Sequence, residues 1–383
     1  MASDGYSERE KSLGEIIQVR KYSLEDIVMD SNFWKNKKVL LTGHTGFKGS
    51  WLSLWLQKLD VDLIGYSKSV PTKPSLFELA NVEERMTSVM GDVIDLQHIT
   101  DIIEKHNPDI VIHMAAQSLV YKSYADPIET FQTNVIGTAN ILEAVRKSSK
   151  KCVVINVTSD KCYENQELAR GYREDDPMGG YDPYSSSKGC AELVTSAFRN
   201  SFFNRSNYEE HGIAVASVRA GNAIGGGDWA ENRLVPDIIR SILDKKPIKI
   251  RSANAVRPWQ HVLEPLRGYL ELTEKIWKDN SEYSGGWNFG PNDKDVKPVS
   301  WIVENIIKMW GDSIQWIANN ENCQHETSFL KLDCSKSKSG LKWNPKIDLE
   351  LGLKWTVDWY KQYEQKNDLK KFTENQIEEY SKL

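Results

Sequence analysis

Tyr184 and Lys188 have the residue types and the spacing of a proton-transfer pair. Positions i and i+4 of a helix lie on one face, so a helix here would bring the Lys188 ammonium close to the Tyr184 phenol. A neighbouring cation favours phenolate, and we expect it to lower the pKa of Tyr184 from about 10 towards that of a usable general base. Such pairs also occur on exposed helix faces, so the surroundings of the pair must decide between these interpretations.

A polar segment lies upstream of this pair. Residues 153–157 are apolar except for Asn156 and predict a buried strand, which ends in Thr158, Ser159, Asp160 and Lys161. Ligands of open α/β sheets bind at the carboxyl ends of strands, so we expect these side chains to face a ligand. Ser159 would then hydrogen-bond the substrate hydroxyl that a tyrosine deprotonates. A reductase or epimerase needs only Ser, Tyr and Lys, so Asp160 and Lys161 need a further role; the alternative is a solvated Asp-Lys turn.

Three glycines, Gly43, Gly46 and Gly49, form a GxxGxxG turn. The turn follows the apolar segment 39–42, which predicts a strand, and precedes apolar residues at helical spacing in 51–59. Glycines permit a tight turn and let backbone N–H groups approach a pyrophosphate at the helix N-terminus. We therefore expect a dinucleotide cofactor here, although a glycine turn can also serve chain geometry alone.

Two further strand ends bear on the cofactor. Asp92 and Val93 follow the predicted strand 87–90, where an acid could accept the adenine amino group; a plain strand-ending turn is the alternative. The second strand ends in Ser67 and Lys68, where an NAD site commonly has an acid. Neither side chain repels a 2′-phosphate, so these residues leave NAD and NADP open.

Strands and helices alternate at the spacing of βαβ units, which requires parallel strands and right-handed crossovers. The predicted strands are 39–42, 61–65, 87–90, 110–113 and 152–156, and the predicted helices are 51–59, 96–106 and 131–147. The pattern predicts an α/β fold with a doubly wound parallel sheet (Rossmann) and a smaller, interleaved C-terminal substrate lobe. We expect an N-terminal extension (1–34), a dinucleotide-binding domain (35–220) and a substrate lobe (221–383) with segments that return to the first domain.

The composition of the 383 residues restricts the function further. The chain has 40% hydrophobic and 27% charged residues, a mix that excludes global disorder. A net charge of −5 argues against nucleic acid or an anionic membrane as a partner, and no apolar run reaches the roughly 18–20 residues of a membrane span. The five cysteines show no paired spacing, so we expect reduced thiols and no metal site. The start of the chain lacks the basic and apolar regions of a secretory signal, and with the reduced thiols this predicts a cytoplasmic location. Capping boxes at Ser12–Glu15 and Ser23–Asp26 predict two short helices or a partly ordered tail.

Over residues 33–365 the chain resembles the extended short-chain dehydrogenase/reductase family and, within it, the CDP-glucose 4,6-dehydratase branch. The resemblance rests on motifs in segments 42–52, 113–117, 158–163, 184–188, 219–229 and 257–262. Asp160-Lys161 is the most specific of these, because the dTDP-glucose and GDP-mannose branches have Asp-Glu or another acidic base there. The N-terminal extension departs from the family pattern.

The resemblance implies removal of water from a nucleotide-linked hexose without net oxidation. Ser159 and Tyr184 would act on the C4 hydroxyl as hydride leaves C4, and the resulting 4-ketone acidifies the C5 hydrogen. Lys161 would take the C5 proton in its neutral form, while protonated Asp160 lets the C6 hydroxyl leave as water before hydride returns to C6. The product, CDP-4-dehydro-6-deoxy-D-glucose, belongs to deoxysugar biosynthesis, for example for lipopolysaccharide.

The resemblance also implies NAD as cofactor and a set of binding residues. The implied cofactor-binding residues are Gly43, Thr45, Gly46, Phe47, Lys48, Gly49, Ser67, Asp92, Val93, Ala115, Ala116, Gln117, Thr158, Tyr184 and Lys188. The implied substrate-binding residues are Ser118, Asn222, Arg233 and Arg257, because guanidinium groups match phosphate oxygens, although each arginine could instead be a surface salt-bridge partner. Asn134 could support Lys188 or be an ordinary polar residue of its helix.

Several alternatives stay open. A nucleotide-sugar 4-epimerase or reductase would use Ser159, Tyr184 and Lys188 but has no task for the Asp-Lys pair, and a dehydratase could act on another nucleotide-linked hexose. A non-catalytic dinucleotide sensor would not need the Tyr–Lys pair. Relatives associate through helices, so we expect a homo-oligomer, a dimer or tetramer, whose interface includes 131–147 and 191–199.

Overall fold

Seven parallel strands form the central sheet of this computed structural model, which describes residues 30–148, 150–168, 170–311, 314–318 and 330–383. Across the sheet, the order of the strands is β10 (Gly285–Phe289), β6 (Ile213–Ala220), β5 (Cys152–Val157), β4 (Ile110–His113), β1 (Lys38–Thr42), β2 (Asp62–Ser67) and β3 (Thr87–Met90). The chain therefore adds strands on one side of β1 up to β3 and, from β4 onward, on the other side. This reversal between β1 and β4 is the topological switch point of a doubly wound fold, as the sequence predicted.

The strands are β1 (Lys38–Thr42), β2 (Asp62–Ser67), β3 (Thr87–Met90), β4 (Ile110–His113), β5 (Cys152–Val157), β6 (Ile213–Ala220), β7 (Asn222–Ile224), β8 (Ile248–Ile250), β9 (Val256–His261), β10 (Gly285–Phe289), β11 (Val296–Pro298) and β12 (Trp316–Ala318). The helices are α1 (Ser31–Trp34), α2 (Phe47–Lys58), α3 (Leu76–Leu79), α4 (Leu96–His106), α5 (Val120–Ala125), α6 (Pro127–Phe131), α7 (Gly137–Ser148), α8 (Pro183–Ser201), α9 (Tyr208–His211), α10 (Leu234–Leu243), α11 (Leu263–Lys278), α12 (Val299–Trp310), α13 (Ser335–Gly340), α14 (Leu349–Glu364) and α15 (Leu369–Lys382). Short 3₁₀ turns lie at Val82–Arg85, Asp160–Cys162, Arg205–Asn207, Asn280–Tyr283 and Asp293–Asp295.

The core lies on both faces of the sheet. Successive side chains of a strand point to opposite faces, and accordingly Leu40 and Val154 pack in one apolar cluster while their neighbours Leu41 and Ile155 pack in the other. In a sheet that is covered on both faces by helices, the sequence of each strand is nearly continuously apolar. Most of the thirteen tryptophans are buried in the core.

The predicted helix 131–147 is interrupted. The structure has α6, a π-helical turn at Gln132–Ile136 and then α7. The wider turn is held by the side chain of Asn134, which exchanges hydrogen bonds with the backbone of Gln117, and such turns frequently occur at functional sites. Helical periodicity alone does not distinguish this turn from a regular helix.

Other predictions fall partly outside the described chain. Residues 1–29, with both capping boxes, and Cys323 lie outside it. Within the described residues, no helix is long and apolar enough to span a membrane. Strand β10, from the C-terminal part of the chain, is the seventh strand of the main sheet.

Candidate active site

A cavity with a volume of about 390 Å³ opens at the carboxyl ends of the central strands. Its walls come from the turns that follow β1, β4, β5 and β6, and from the chain between β7 and β9. Eleven of the residues singled out by sequence line it: Phe47, Lys48, Ser118, Thr158, Ser159, Asp160, Lys161, Tyr184, Asn222, Arg233 and Arg257. The fold thus brings the predicted catalytic residues other than Lys188, and all four predicted substrate-binding residues, into one space.

Tyr184 lies in the first turn of α8. Asp182 caps this helix by accepting the backbone N–H of Ser185 at 3.0 Å, and Pro183 occupies the first helical position, where its missing N–H costs nothing. Ser159, next to the Tyr184 hydroxyl, favours the phenolate form, but burial raises the pKa of Tyr184 to about 12. The expectation that Lys188 lowers this pKa is wrong for this structure, because loss of solvent around the phenol outweighs the neighbouring charges.

Lys188 lies behind the cavity, one helical turn beyond Tyr184. Its side chain is 5% exposed, and its Nζ donates to the carbonyl oxygen of Val157 at 3.3 Å. Burial, and then the like charge of Lys48, lower the pKa of Lys188 to about 8. Asn134 does not bond Lys188 within the described residues; it donates instead to the hydroxyl of Ser187 at 2.8 Å. The suggested support of Lys188 by Asn134 is therefore indirect at most.

Asp160 and Lys161 begin a short 3₁₀ turn at the end of β5. The hydroxyl of Ser159 accepts the backbone N–H of Lys161 and donates to Asp160 Oδ1 at 3.0 Å, so the serine fixes the direction of the turn. Asp160 is 3% exposed, and its Oδ2 is buried without a hydrogen-bond partner in the described chain. A Cβ on Gly221 would lie 3.1 Å from that oxygen. Asp160 is therefore a buried carboxyl with one oxygen unsatisfied, and the solvated-turn alternative does not hold for it.

The glycine turn has the local geometry of a pyrophosphate cradle. Gly43 has φ +77°, and a Cβ there would lie 2.7 Å from the backbone nitrogen of Ala115, so the turn after β1 packs directly on the segment after β4. Gly46 precedes α2, whose first N–H groups receive no side-chain cap. A 12-residue helix with an uncapped N-terminus at the switch point suits an anionic dinucleotide. Gly49 lies where a Cβ would collide with Gly43 O at 2.0 Å.

Around this turn lie the other residues assigned to the cofactor. Ala115 and Ala116 are half-buried, and Gln117 is buried against Asn134 and Thr130. Thr45 is buried and donates its hydroxyl to Ser69 O at 2.7 Å. None of these four side chains lines the main cavity.

The chain after β2 and β3 has a charge arrangement that the sequence did not reveal. Ser67 is buried and hydrogen-bonded to His44 Nδ1 at 2.8 Å, and burial lowers the pKa of His44 to about 4. Lys68 forms an ion pair of 2.9 Å with Asp92. Val93 is buried under Gly137. The negative charge of Asp92, which follows β3, thus balances the positive charge of Lys68, which follows β2.

Besides Lys161, three cations that the sequence singled out line the cavity. Arg233 donates to Asp228 at 3.1 Å and to the Ser118 hydroxyl at 2.8 Å, so it is both a salt-bridge partner and a lining residue. Arg257 is 8% exposed and donates to the carbonyl of Val256 at 3.0 Å. Lys48 lines the same space from the first turn of α2, and burial, and then the charge of Arg233, lower the pKa of Lys48 to about 8. No hydrogen bond or ion pair engages the Lys48 ammonium in the described chain.

Sequence reasoning missed three lining residues. Lys249 and Arg251 flank Ile250 of β8. Residues two apart on a strand lie on one face, so their spacing could have indicated a pair of cations on the same side of β8. Arg251 stacks on the Tyr121 ring, 4.6 Å from its centre, across the mouth of the cavity. Asp228 lies in the motif segment 219–229, but only the fold shows that it is the partner of Arg233.

Relatives of known function are similar to this chain along nearly its whole length. The GDP-mannose 4,6 dehydratase family model matches residues 40–356. The chain is 51% identical to CDP-glucose 4,6-dehydratase of Salmonella typhimurium (strain LT2), across 92% of this chain and 98% of the relative. It is 28% identical to dTDP-glucose 4,6-dehydratase of Haemophilus influenzae, across 84% and 97%.

Solved structures agree on the fold. A dTDP-glucose 4,6-dehydratase from Streptomyces venezuelae with NAD bound has a TM-score of 0.72 at 21% identity and covers 86% of this chain and 99% of its own. UDP-glucose 4-epimerase from Thermotoga maritima has the same TM-score and identity, with 85% and 99% covered. At these identities the structures support the Rossmann fold alone. The family model and the relatives of known function go further and confirm the resemblance drawn from the motifs: the chain belongs to the GDP-mannose 4,6 dehydratase family.

Proposed function

We propose that this chain is an NAD-dependent CDP-glucose 4,6-dehydratase, which converts CDP-D-glucose to CDP-4-dehydro-6-deoxy-D-glucose and water. The observation that carries the proposal is the buried Asp160 with its unsatisfied oxygen, next to Lys161, in the cavity that also contains Ser159 and Tyr184. An epimerase has no use for that acid–base pair. The 51% identity to a CDP-glucose 4,6-dehydratase favours the cytidine nucleotide.

The glycine turn, the uncapped α2 and the residues after β3 and β4 would hold NAD. Lys188 would bind the nicotinamide ribose, and Asp92, which forms an ion pair with Lys68, would lie at the adenine. When bound, NAD would supply an acceptor for the C4 hydride and later a donor of hydride to C6.

Tyr184 and Ser159 act at C4. Ser159 holds the C4 hydroxyl, and Tyr184 accepts its proton as the carbonyl forms. Burial holds the phenol protonated, so a phenolate forms only where cations offset the loss of solvent. Arg233 is a cation that acts on Tyr184 in this direction, and we propose that Lys188, one helical turn away on α8, is a second.

Asp160 and Lys161 act at C5 and C6. The 4-ketone acidifies the C5 hydrogen, and the Lys161 amine removes it as a proton. Asp160 gives a proton to the C6 hydroxyl, which leaves as water. Lys161 exchanges its proton with solvent and returns a proton to C5 as C6 is reduced. Tyr184 has gained one proton and Asp160 has lost one, so transfer through solvent restores the starting state of the enzyme.

The substrate diphosphate binds to the cations opposite α8. Arg233 and Arg257 present guanidinium groups, whose geometry matches phosphate oxygens, and Asn222 and Ser118 supply neutral hydrogen-bond partners. Lys249 and Arg251 lie further along the same wall, towards the nucleoside.

We also propose the domain division 35–220 and 221–383, with β10 as a segment that returns to the first domain. A homo-oligomer, dimer or tetramer, is supported by two exposed apolar residues on the predicted interface, Ile136 and Leu193. Light scattering of wild type and Leu193→Glu would test this oligomer.

A cytoplasmic location is supported by the unbridged Cys152, Cys162, Cys190 and Cys334 of the described chain.

The function is tested by incubating the protein and NAD with the CDP-, dTDP- and UDP-glucoses and GDP-mannose, and following 4-ketosugar formation. We expect turnover of CDP-glucose and, in heavy water, one deuterium at C5 of each product molecule. Tyr184→Phe and Asp160→Asn are the matched inactive variants. A C4 epimer without loss of water, or a preference for another nucleotide, would contradict the proposal.

A further inference from the structure

One buried ion pair touches the catalytic segment 158–163 at both of its ends. Arg219 of β6 binds both carboxylate oxygens of Glu192, each at 2.8 Å, and both side chains are 5% exposed. At one end of the segment, the Thr158 hydroxyl donates to Glu192 at 2.5 Å. At the other end, Arg219 donates to the Tyr163 hydroxyl at 2.6 Å. Ser159, Asp160 and Lys161 lie between these two contacts.

The same pair joins this segment to the helix that carries the phenol. Glu192 follows Tyr184 by eight residues and Lys188 by four, so all three lie along one face of α8. Tyr163 is held on its far side as well, because its hydroxyl donates to Asn288 of β10 at 2.8 Å. The pair therefore links α8, β6 and the turn after β5.

A buried ion pair of this kind is tolerated only where its polar atoms have partners. Removing two charges from water costs as much as their attraction returns, unless every polar atom is satisfied. Here Glu192 also accepts the Ser217 hydroxyl at 2.6 Å, and Arg219 also donates to Glu174 O at 3.2 Å. Burial alone would raise the pKa of Glu192, but the Arg219 guanidinium holds that pKa below its ordinary value. The pair is fully satisfied and charged, which suits a rigid support.

We propose that Arg219 and Glu192 are positioning residues that set the two halves of the reaction separately. The Thr158 contact holds Ser159 against Tyr184 for chemistry at C4, and the Tyr163 contact holds Asp160 and Lys161 for chemistry at C5 and C6. This inference rests on the proposed dehydratase function. It assigns a task to an ion pair that touches no substrate.

The test compares Thr158→Val and Tyr163→Phe at saturating NAD, with CDP-glucose carrying deuterium at C4 or at C5. Each substitution removes one hydroxyl and nearly preserves shape; the Tyr163 ring keeps its stacking on Tyr172 at 5.3 Å. We expect kcat to fall by about tenfold in each, since small displacements of reacting groups cost that much or more. In Tyr163→Phe the C5 isotope effect on kcat should rise and the C4 effect approach one. In Thr158→Val the reverse should hold.

Tyr208→Phe is the matched control, because its hydroxyl is buried without a partner in the described chain and lies away from the pair. Melting temperatures and NAD affinities of all variants separate misfolding and cofactor loss from misplacement. If both variants change the two isotope effects in the same direction, or change neither, the inference is wrong. If wild type does not dehydrate CDP-glucose, the proposed function fails instead, and the two failures are thereby distinguished.

Discussion

Replacing Lys188 by methionine should abolish turnover and yet stabilise the folded protein at neutral pH. Lys188 is 5% exposed, and burial, and then the charge of Lys48, lower its pKa from 10.5 to about 8. At 1.36 kcal/mol per pKa unit, this difference corresponds to about 3 kcal/mol of free energy that the folded protein spends to keep the ammonium charged. The hydrogen bond to Val157 O offsets part of that cost, so we expect Lys188→Met to raise the free energy of unfolding by about 2 kcal/mol.

The sign of the pH dependence follows from linkage. Below pH 8 both the folded and the unfolded protein bind the Lys188 proton, so the cost is fully present. Between pH 8 and 10.5 the folded protein loses that proton while the unfolded chain keeps it, and wild-type stability gains on the variant. The advantage of Lys188→Met should therefore be largest at pH 7 and shrink steadily towards pH 10.5.

The assay is urea unfolding of the dinucleotide-free proteins at pH 7 and pH 9.5, followed by tryptophan fluorescence at one fixed protein concentration. Lys308→Met serves as control, because Lys308 is an exposed residue of α12 and its loss should change stability by less than about 0.5 kcal/mol. If Lys188→Met is no more stable than wild type at pH 7, or if its advantage is the same at both pH values, the argument from burial is refuted.

Gly43→Ala should abolish dinucleotide binding and lower stability by about 2 kcal/mol or more, because φ is +77° and the Cβ would lie 2.7 Å from Ala115 N. Gly311→Ala, with φ +93° and open space around the site, isolates the backbone strain; equal losses in calorimetry would show that the contact with Ala115 is irrelevant. Arg233→Lys keeps the charge but loses the planar fork, so KM for the nucleotide sugar should rise about tenfold with kcat nearly unchanged; a fall in kcat alone would exclude the diphosphate role. Lys161→Met should cut ketosugar formation at least about a hundredfold and stop C5 deuteration in heavy water, and retained deuteration would exclude Lys161 as the base.

Much of the fold could be predicted because periodicity reports burial. Short, mostly apolar segments such as 152–157 indicate strands that are buried on both faces, and their alternation with amphipathic helices requires parallel neighbours. The π-helical turn at Gln132–Ile136 could not be predicted, since it depends on a bond between Asn134 and a residue from another segment.

The candidate site was predictable wherever its residues are close in sequence. Tyr184 and Lys188 share a helix face, and Ser159, Asp160 and Lys161 share a strand end, so local geometry suffices. Partners that come from distant segments were not predictable: Arg219 reaches Tyr163 across 56 positions and Arg233 reaches Ser118 across 115.

The sequence by itself determined which chemical groups are present and which of them share a helix face, a strand end or a tight turn, because those relations follow from the backbone repeat. Only the tertiary structure decided how much solvent each group keeps. That is why the pKa of Tyr184 lies at about 12, against the direction expected from its spacing to Lys188, and why Asp160 retains an unsatisfied oxygen. Protonation depends on desolvation and on charges from every packed element, and both are properties of the assembled fold.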